Sequence, residues 1–216
     1  MAKNLLLDIE GTVGSISFVK NDLFTYAEKH YKEYIEQHYK TDENLQALGD
    51  SPESSLSKIQ KLHAEGSKER HFKHVQGKIW KDGYKKNELV SHLFPDVIPS
   101  IERALRSGAK VYIYSSGSIP AQKLYFSHTE FGDILPFFSG FFDTSTGIKT
   151  ESASYKKIIG DSDAREWLFL SDNIKELQAA QEIGLHVGLV VRPGNETASE
   201  TDGIPVYHSF DCLFTE

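Results

Sequence analysis

The chain has 216 residues, 39% of them hydrophobic, and carries a formal net charge of −7. That length buries one substantial core, so a single main domain with a smaller appendage is expected. The acidic balance excludes nucleic acid as the default partner, because phosphate backbones select basic surfaces, and the lone Cys212 excludes an internal disulfide and fits a reducing compartment.

The first element is LLLDIEGT, residues 5–12, where three leucines run into Asp8 and Glu10 before Gly and Thr. An apolar run of this kind reads as a strand covered on both faces. Two acids desolvated at its end cost several kcal/mol per unpaired charge, roughly, so a positive partner is expected for them. The start MAKNLLLD has no apolar stretch long enough for a signal peptide, and no segment approaches a membrane span. A cytoplasmic location is expected, with the nucleus also open.

Residues 18–92 then read as helices without a strand. NDLFTYAEKHYKEYIEQHY sets Leu23, Ala27, Tyr31 and Ile35 at helical spacing, with Asn21 as the expected N-cap. In SPESSLSKIQKLHAEG, Ser51 caps, Pro52 suits the first helical position and Gly66 closes the helix. Phe72, Val75, Ile79 and Trp80 mark a third helix. From Ser67 to Lys86 seven Lys or Arg stand against two acids, either a solvated helix face or a cationic patch for a small phosphorylated ligand. His71 and His74 lie one turn apart, but no third ligand is near in sequence, so a solvated face is expected.

From residue 93 the rhythm changes. VIPSIERALRSG reads as a helix ended by Gly108, KVYIYSS as a strand, IPAQKLYFSH as a helix, SGFFDTS as a short strand and SASYKKIIG as a helix. WLFLSDN is a strand, KELQAAQEIG a helix and HVGLVVRPG a last strong strand. Strands alternating with helices imply right-handed crossovers, hence an α/β, Rossmann-like doubly wound parallel sheet. Residues 1–17 and 93–216 form this core, and 18–92 an all-helical cap inserted after the first strand. Asn195-Glu196-Thr197 matches a glycosylation acceptor by chance.

Ligands of open parallel sheets sit beyond the carboxyl ends of the strands. Asp8 and Glu10 end the first strand, Ser115 and Ser116 the second, Asp172 the WLFLSDN strand, and Lys149 follows FFD. Taken singly each has a plainer explanation: Asp8 caps a turn, Ser115 and Ser116 belong to a loop, Lys149 is solvated, and Asp172 with Asn173 caps a helix. Together they suit one task. Asp8 and Asp172 are hard oxygen ligands that, with a backbone carbonyl and waters, satisfy an octahedral Mg²⁺. Ser115, the backbone beyond it and Lys149 suit a phosphoryl group. Asp8 is placed to attack phosphorus, and Glu10 to protonate the leaving oxygen and later deprotonate water. No nucleophile elbow occurs, and Gly147-Ile148-Lys149-Thr150 only approximates a P-loop, which argues against an ATPase.

DIEGT, YSSGS, the lysine of TGIKTESASY and FLSDN, in that order, resemble the four signature motifs of the haloacid dehalogenase superfamily. DIEGT followed by ISFV, the stretch from IYSSGSIPAQ to TESASY, the cap segment VQGKIWKDGYKKNEL and the tail VVRPGN are similar to the acireductone synthases, or enolase-phosphatases, of methionine salvage. The resemblance implies enolisation and then dephosphorylation of 2,3-diketo-5-methylthiopentyl-1-phosphate, a small phosphorylated diketone. It also implies one Mg²⁺ per subunit held by Asp8, Asp172 and the backbone carbonyl of Glu10, phosphate held by Ser115, Ser116 and Lys149, and Asp8 as nucleophile. A monomer is expected, with neither nucleic acid nor membrane as partner, and Gln76, Trp80 and Tyr84 are expected to face the substrate unless Trp80 is core packing. Two other readings stay open at this stage: a sugar-phosphate phosphatase or mutase on the same scaffold, and a phospho-accepting signalling module.

Overall fold

The computed structural model describes residues 2–195 and 201–214. The Asn195-Glu196-Thr197 pattern therefore runs past Asn195 into residues outside those described. The chain divides into two units, Met1–Ser17 with Ser91–Glu216, and Phe18–Val90.

The first unit is built on six parallel strands. In chain order they are β1 (Asn4–Leu7), β2 (Lys110–Tyr114), β3 (Gly140–Phe142), β4 (Trp167–Ser171), β5 (His186–Val190) and β6 (Val206–Tyr207), arranged 3-2-1-4-5-6 across the sheet. Every neighbouring pair runs parallel. The strand order reverses beside β1, the switch point at which doubly wound sheets open a crevice. Leu5, Leu6 and Leu7 are at most 1% exposed, which explains why β1, after Asn4 at its start, is apolar until it ends. One core cluster joins Leu6, Tyr114, Tyr155, Trp167, Phe169, Leu177 and Val187.

The second unit is helical. A wide π-helical stretch, Phe18–Phe24, runs without a break into α1 (Thr25–His38). Asn21 lies inside that stretch and caps nothing; helical turns already begin at Ile16, so the chain offers no free start at residue 21. A short α2 (Glu43–Leu48), which the sequence reading lacked, starts where Asp42 accepts from Asn44 N. α3 (Pro52–Ala64) opens with Ser51 and Ser54 in a reciprocal capping box, and α4 (Arg70–Lys85) follows. Tyr31, Ile35, Leu45, Ile59, Phe72, Val75 and Ile79 form the core of this unit.

Back in the first unit the helices are α5 (Val97–Arg106), α6 (Ile119–Ser127), α7 (Ser152–Ile159) and α8 (Ile174–Gln181). Gly108 ends α5 at φ 84°, as the glycine position predicts. The expectation that HVGLVVRPG holds the last strand is corrected by β6, two residues paired to Leu189 and Val190 and too short to show a period. Among the described residues no helix is long and apolar enough to cross a membrane.

Candidate active site

The register fixes which side chains leave the sheet together. Leu7 is level with Ile113 on one side and Leu170 on the other, so Asp8 emerges level with Tyr114 and Ser171, and Ser115 and Asp172 emerge one residue later. The Asp8 N–H still donates to Leu170 O at 3.0 Å, so the carboxylate projects from the last rung of the ladder. Beyond it the chain turns tightly: Ile9 O accepts from the N–H groups of Thr12, Val13 and Gly14 at 3.2, 3.0 and 2.9 Å. Gly11 stands at φ 74°, where a β-carbon would also strike the Asp172 carboxylate, so both backbone and space require glycine.

The positive partner expected for the strand-ending acids is Lys149. Its Nζ lies 2.5 Å from Asp8 Oδ1 and 2.6 Å from Glu176 Oε2, and all three side chains are buried. Thr12 Oγ1 donates to Asp8 Oδ2 at 3.4 Å, and Ser171 Oγ to Glu176 Oε2 at 3.0 Å. Burial pushes the Lys149 ammonium down, but the charges of Asp8 and then Glu176 outweigh it and hold its pKa above the ordinary lysine value. The backbone around this lysine is fastened by three hydroxyls. Tyr114, Ser154 and Tyr155 donate to the carbonyls of Gly147, Ile148 and Lys149 at 3.0, 2.7 and 2.7 Å.

Asp172 is half-buried, and its pKa is pushed up to about 7, first by burial, then by the charges of Asp8 and Glu176, with Lys149 opposing. When ionised, Asp8, Asp172 and Glu176 stand against one ammonium and leave an excess of two negative charges. Among the described residues no three acidic, histidine or cysteine side chains form a metal cage. A cation here would therefore take two carboxylates, with a backbone carbonyl and water at its other positions, a donor set that suits Mg²⁺. The Glu10 side chain is exposed.

Ser115 is half-buried and Ser116 exposed, on the loop between β2 and α6. Ser115 Oγ accepts from Gly117 N at 3.3 Å. The loop is braced by Gln122, whose amide donates to Gly117 O and Phe142 O at 2.7 and 2.8 Å, and by Asp143, which accepts from Ile119 N at 3.0 Å.

The sequence reading missed Glu176. It stands one helical turn after Asp172, in the first turn of α8, where an acid ordinarily serves the helix dipole. Its four-residue spacing from Asp172 was the available signal. In the helical unit, Gln76 is fully buried, donating to Tyr31 OH at 3.0 Å and accepting from Lys73 at 3.0 Å. Trp80 Nε1 donates to Leu23 O at 2.8 Å, and Tyr84 is 2% exposed. The partners of Gln76 and Trp80 thus belong to the packing of their own unit, which favours the core-packing alternative for Trp80.

No family model matches the chain. It is 64% identical over 216 residues to Enolase-phosphatase E1 of Schizosaccharomyces pombe, covering 100% of both chains. It is similar to the crystal structure of the UTR4 protein of Saccharomyces cerevisiae, with a TM-score of 0.89 at 36% identity, covering 99% of this chain and 100% of that one. A HAD phosphatase from Thermococcus onnurineus shares the fold, at TM-score 0.61 and 16% identity over 96% of this chain and 94% of that one.

Proposed function

The chain belongs to the enolase-phosphatase E1 family, and from that membership we propose how its own residues divide the work. The enzyme is a phosphoric monoester hydrolase of haloacid dehalogenase-like fold. It acts as an acireductone synthase in methionine salvage, converting 2,3-diketo-5-methylthiopentyl-1-phosphate to 1,2-dihydroxy-3-keto-5-methylthiopentene and phosphate. A full-length relative at 64% identity displaces the sugar-phosphate and signalling-module readings.

Glu10 is assigned the proton work. In enolisation it takes a proton from the carbon beside a carbonyl, whose oxygen gains one from water. In phosphoryl transfer an Asp8 oxygen bonds to phosphorus, the ester P–O bond breaks, and the leaving oxygen takes a proton from Glu10. Water then attacks phosphorus, gives its proton to Glu10 and frees Asp8 as phosphate departs. Ser115, Ser116 and Lys149 hold the phosphate oxygens. Asp8, Asp172 and the Glu10 carbonyl would hold one Mg²⁺ per subunit, which would supply charge to offset the developing negative charge on those oxygens. The protein works as a monomer in the cytoplasm.

The observation that carries this reading is the buried Asp8 carboxylate held 2.5 Å from Lys149 at the end of the central strand. Enolisation is followed by ultraviolet absorbance and phosphate release by a colorimetric assay. Asp8→Asn is expected to stop phosphate release and leave enolisation measurable. Glu10→Gln is expected to slow both by about 10²- to 10⁴-fold, the usual range for losing a general acid or base. Full phosphate release by Asp8→Asn would refute the nucleophile assignment.

A further inference from the structure

Arg192-Pro193-Gly194-Asn195, just past β5, is a tight turn in which Asn195 N donates to Arg192 O at 3.1 Å. Proline at its second position and Gly194 at φ 90° in its third are the requirements of a type II turn. The turn aims two side chains at consecutive carbonyls of the DIEGT loop. Arg192 Nε donates to Thr12 O at 3.0 Å, and Asn195 Nδ2 to Gly11 O at 2.8 Å and to Val190 O at 3.2 Å. Arg192 is further fixed by Asp96 at 2.9 Å and by the rings of Phe94 and Phe210, whose centroids lie 4.5 and 4.6 Å from its guanidinium carbon.

Because the Asn195 nitrogen donates to two carbonyls, its amide orientation is settled, and Oδ1 is the end that remains. Oδ1 is buried, and among the described residues no donor reaches it. It lies 3.0 Å from the point a Gly11 β-carbon would occupy, and an Asp172 carboxylate oxygen lies closer still to the same point. Two oxygens thus face the same small space, and among the described residues none donates to Oδ1. A water on a divalent cation bound by Asp172 has hydrogens to give, and an amide oxygen in that position is a second-shell partner of the kind that orients metal sites.

We infer that Asn195 is a positioning residue: its nitrogen clamps the DIEGT loop to the end of β5, and its Oδ1 accepts a hydrogen bond from water bound to the cation at Asp172. This rests on the metal site assigned under the proposed function. The two roles separate because Asn195→Ala removes both, whereas Asn195→Asp removes the donating nitrogen and keeps an oxygen beside Asp172.

Binding of Mg²⁺ alone is measured by calorimetry on the full chain, and metal-free stability by thermal melts. Both variants are expected to lower the metal-free Tm. Asn195→Ala is expected to weaken Mg²⁺ binding about 10- to 100-fold, the usual cost of losing such a partner, with phosphate release restored at saturating Mg²⁺. Asn195→Asp is expected to bind Mg²⁺ at least as tightly as the parent. Equal weakening in both variants, or an unchanged Mg²⁺ affinity in Asn195→Ala, would overturn the inference and leave Asn195 a structural clamp. Asp172→Asn is the control: if it binds Mg²⁺ like the parent, the metal site itself is misassigned, whereas if it loses binding, the Asn195 outcomes stand on their own.

Discussion

Replacing Lys149 with Met tests the electrostatic centre of the site. The substitution keeps a long apolar stem and removes an ammonium held 2.5 Å from Asp8 and 2.6 Å from Glu176, all three side chains being no more than 11% exposed. Breaking a buried pair from one side costs about 3–5 kcal/mol, because a charge is left uncompensated. A second route gives the same figure. At least one carboxylate must take up a proton to stay buried, and neutralising a group of ordinary pKa 4.3 costs about 3.7 kcal/mol at pH 7 and about 1 kcal/mol at pH 5. The folded-state pKa of that carboxylate is raised above its unfolded value, so the penalty is absent below pH about 4 and grows as pH rises. For a chain of this size each kcal/mol is about 2–4 °C, so the metal-free variant should melt about 7–15 °C below the parent at pH 7 and about 2–4 °C below it at pH 5. Melts in chelator, followed by circular dichroism at both pH values, measure this. A deficit that is the same at pH 5 and pH 7 would show that Lys149 acts through packing, and the charge argument would fail.

Gly11→Ala combines a left-handed backbone at φ 74° with a collision against the Asp172 carboxylate, so phosphate release should fall sharply in a protein that melts about 1–2 kcal/mol less stable, as assays and melts of the variant would reveal. In the helical unit, burial raises the Asp42 carboxyl, but Lys78 at 2.8 Å and hydrogen bonds from Asn44 and Tyr34 more than reverse this and hold it at about 2. The stability it lends is present above its unfolded pKa near 4 and lost as pH falls towards 2; an acid titration of helicity should therefore show a loss in that window that Asp42→Asn lacks. Removing Mg²⁺ with a chelator should abolish binding of inorganic phosphate, since the excess of negative charge at Asp8, Asp172 and Glu176 then repels it; equal phosphate affinity with and without Mg²⁺, measured by calorimetry, would contradict this.

The parts of the fold legible in the sequence are those where burial and period agree. Leu5 to Leu7 and Trp167 to Leu170 are buried or nearly so, and their apolar runs announce strands that end where a polar residue appears. Ser51, Pro52 and Gly108 sit where cap chemistry requires them, and the helices they bound follow. Illegible elements were short or irregular. α2 has six residues, β6 has two, and the π-helical turns at Phe18–Phe24 carry no capping residue to mark them. At the candidate site, Asp8, Ser115, Lys149 and Asp172 stood out in the sequence because each interrupts a strand or follows one. Glu176 and Asn195 were not, since an acid in the first turn of a helix and an Asn after Pro-Gly both have local explanations that hide a long-range partner.

On the proposed assignment, that hidden partner would let one lysine serve both a nucleophile and a phosphate. Were Lys149 paired with Asp8 alone, formation of the aspartyl-phosphate would convert its only counter-ion into an ester and strand a buried ammonium beside it. Glu176, held by Ser171 at 3.0 Å and contacting the same Nζ at 2.6 Å, is a second carboxylate that, on the proposed assignment, would keep the ammonium compensated while Asp8 changes partners. The hydroxyls of Tyr114, Ser154 and Tyr155 fix the backbone from which the lysine rises, which would hold its charge in place in the proposed attack of Asp8 on phosphorus. With Asp8 proposed as the nucleophile, it would be freed from its ion pair without moving the charge proposed to meet the phosphate oxygens, which is the preorganisation that charge-stabilised phosphoryl transfer requires.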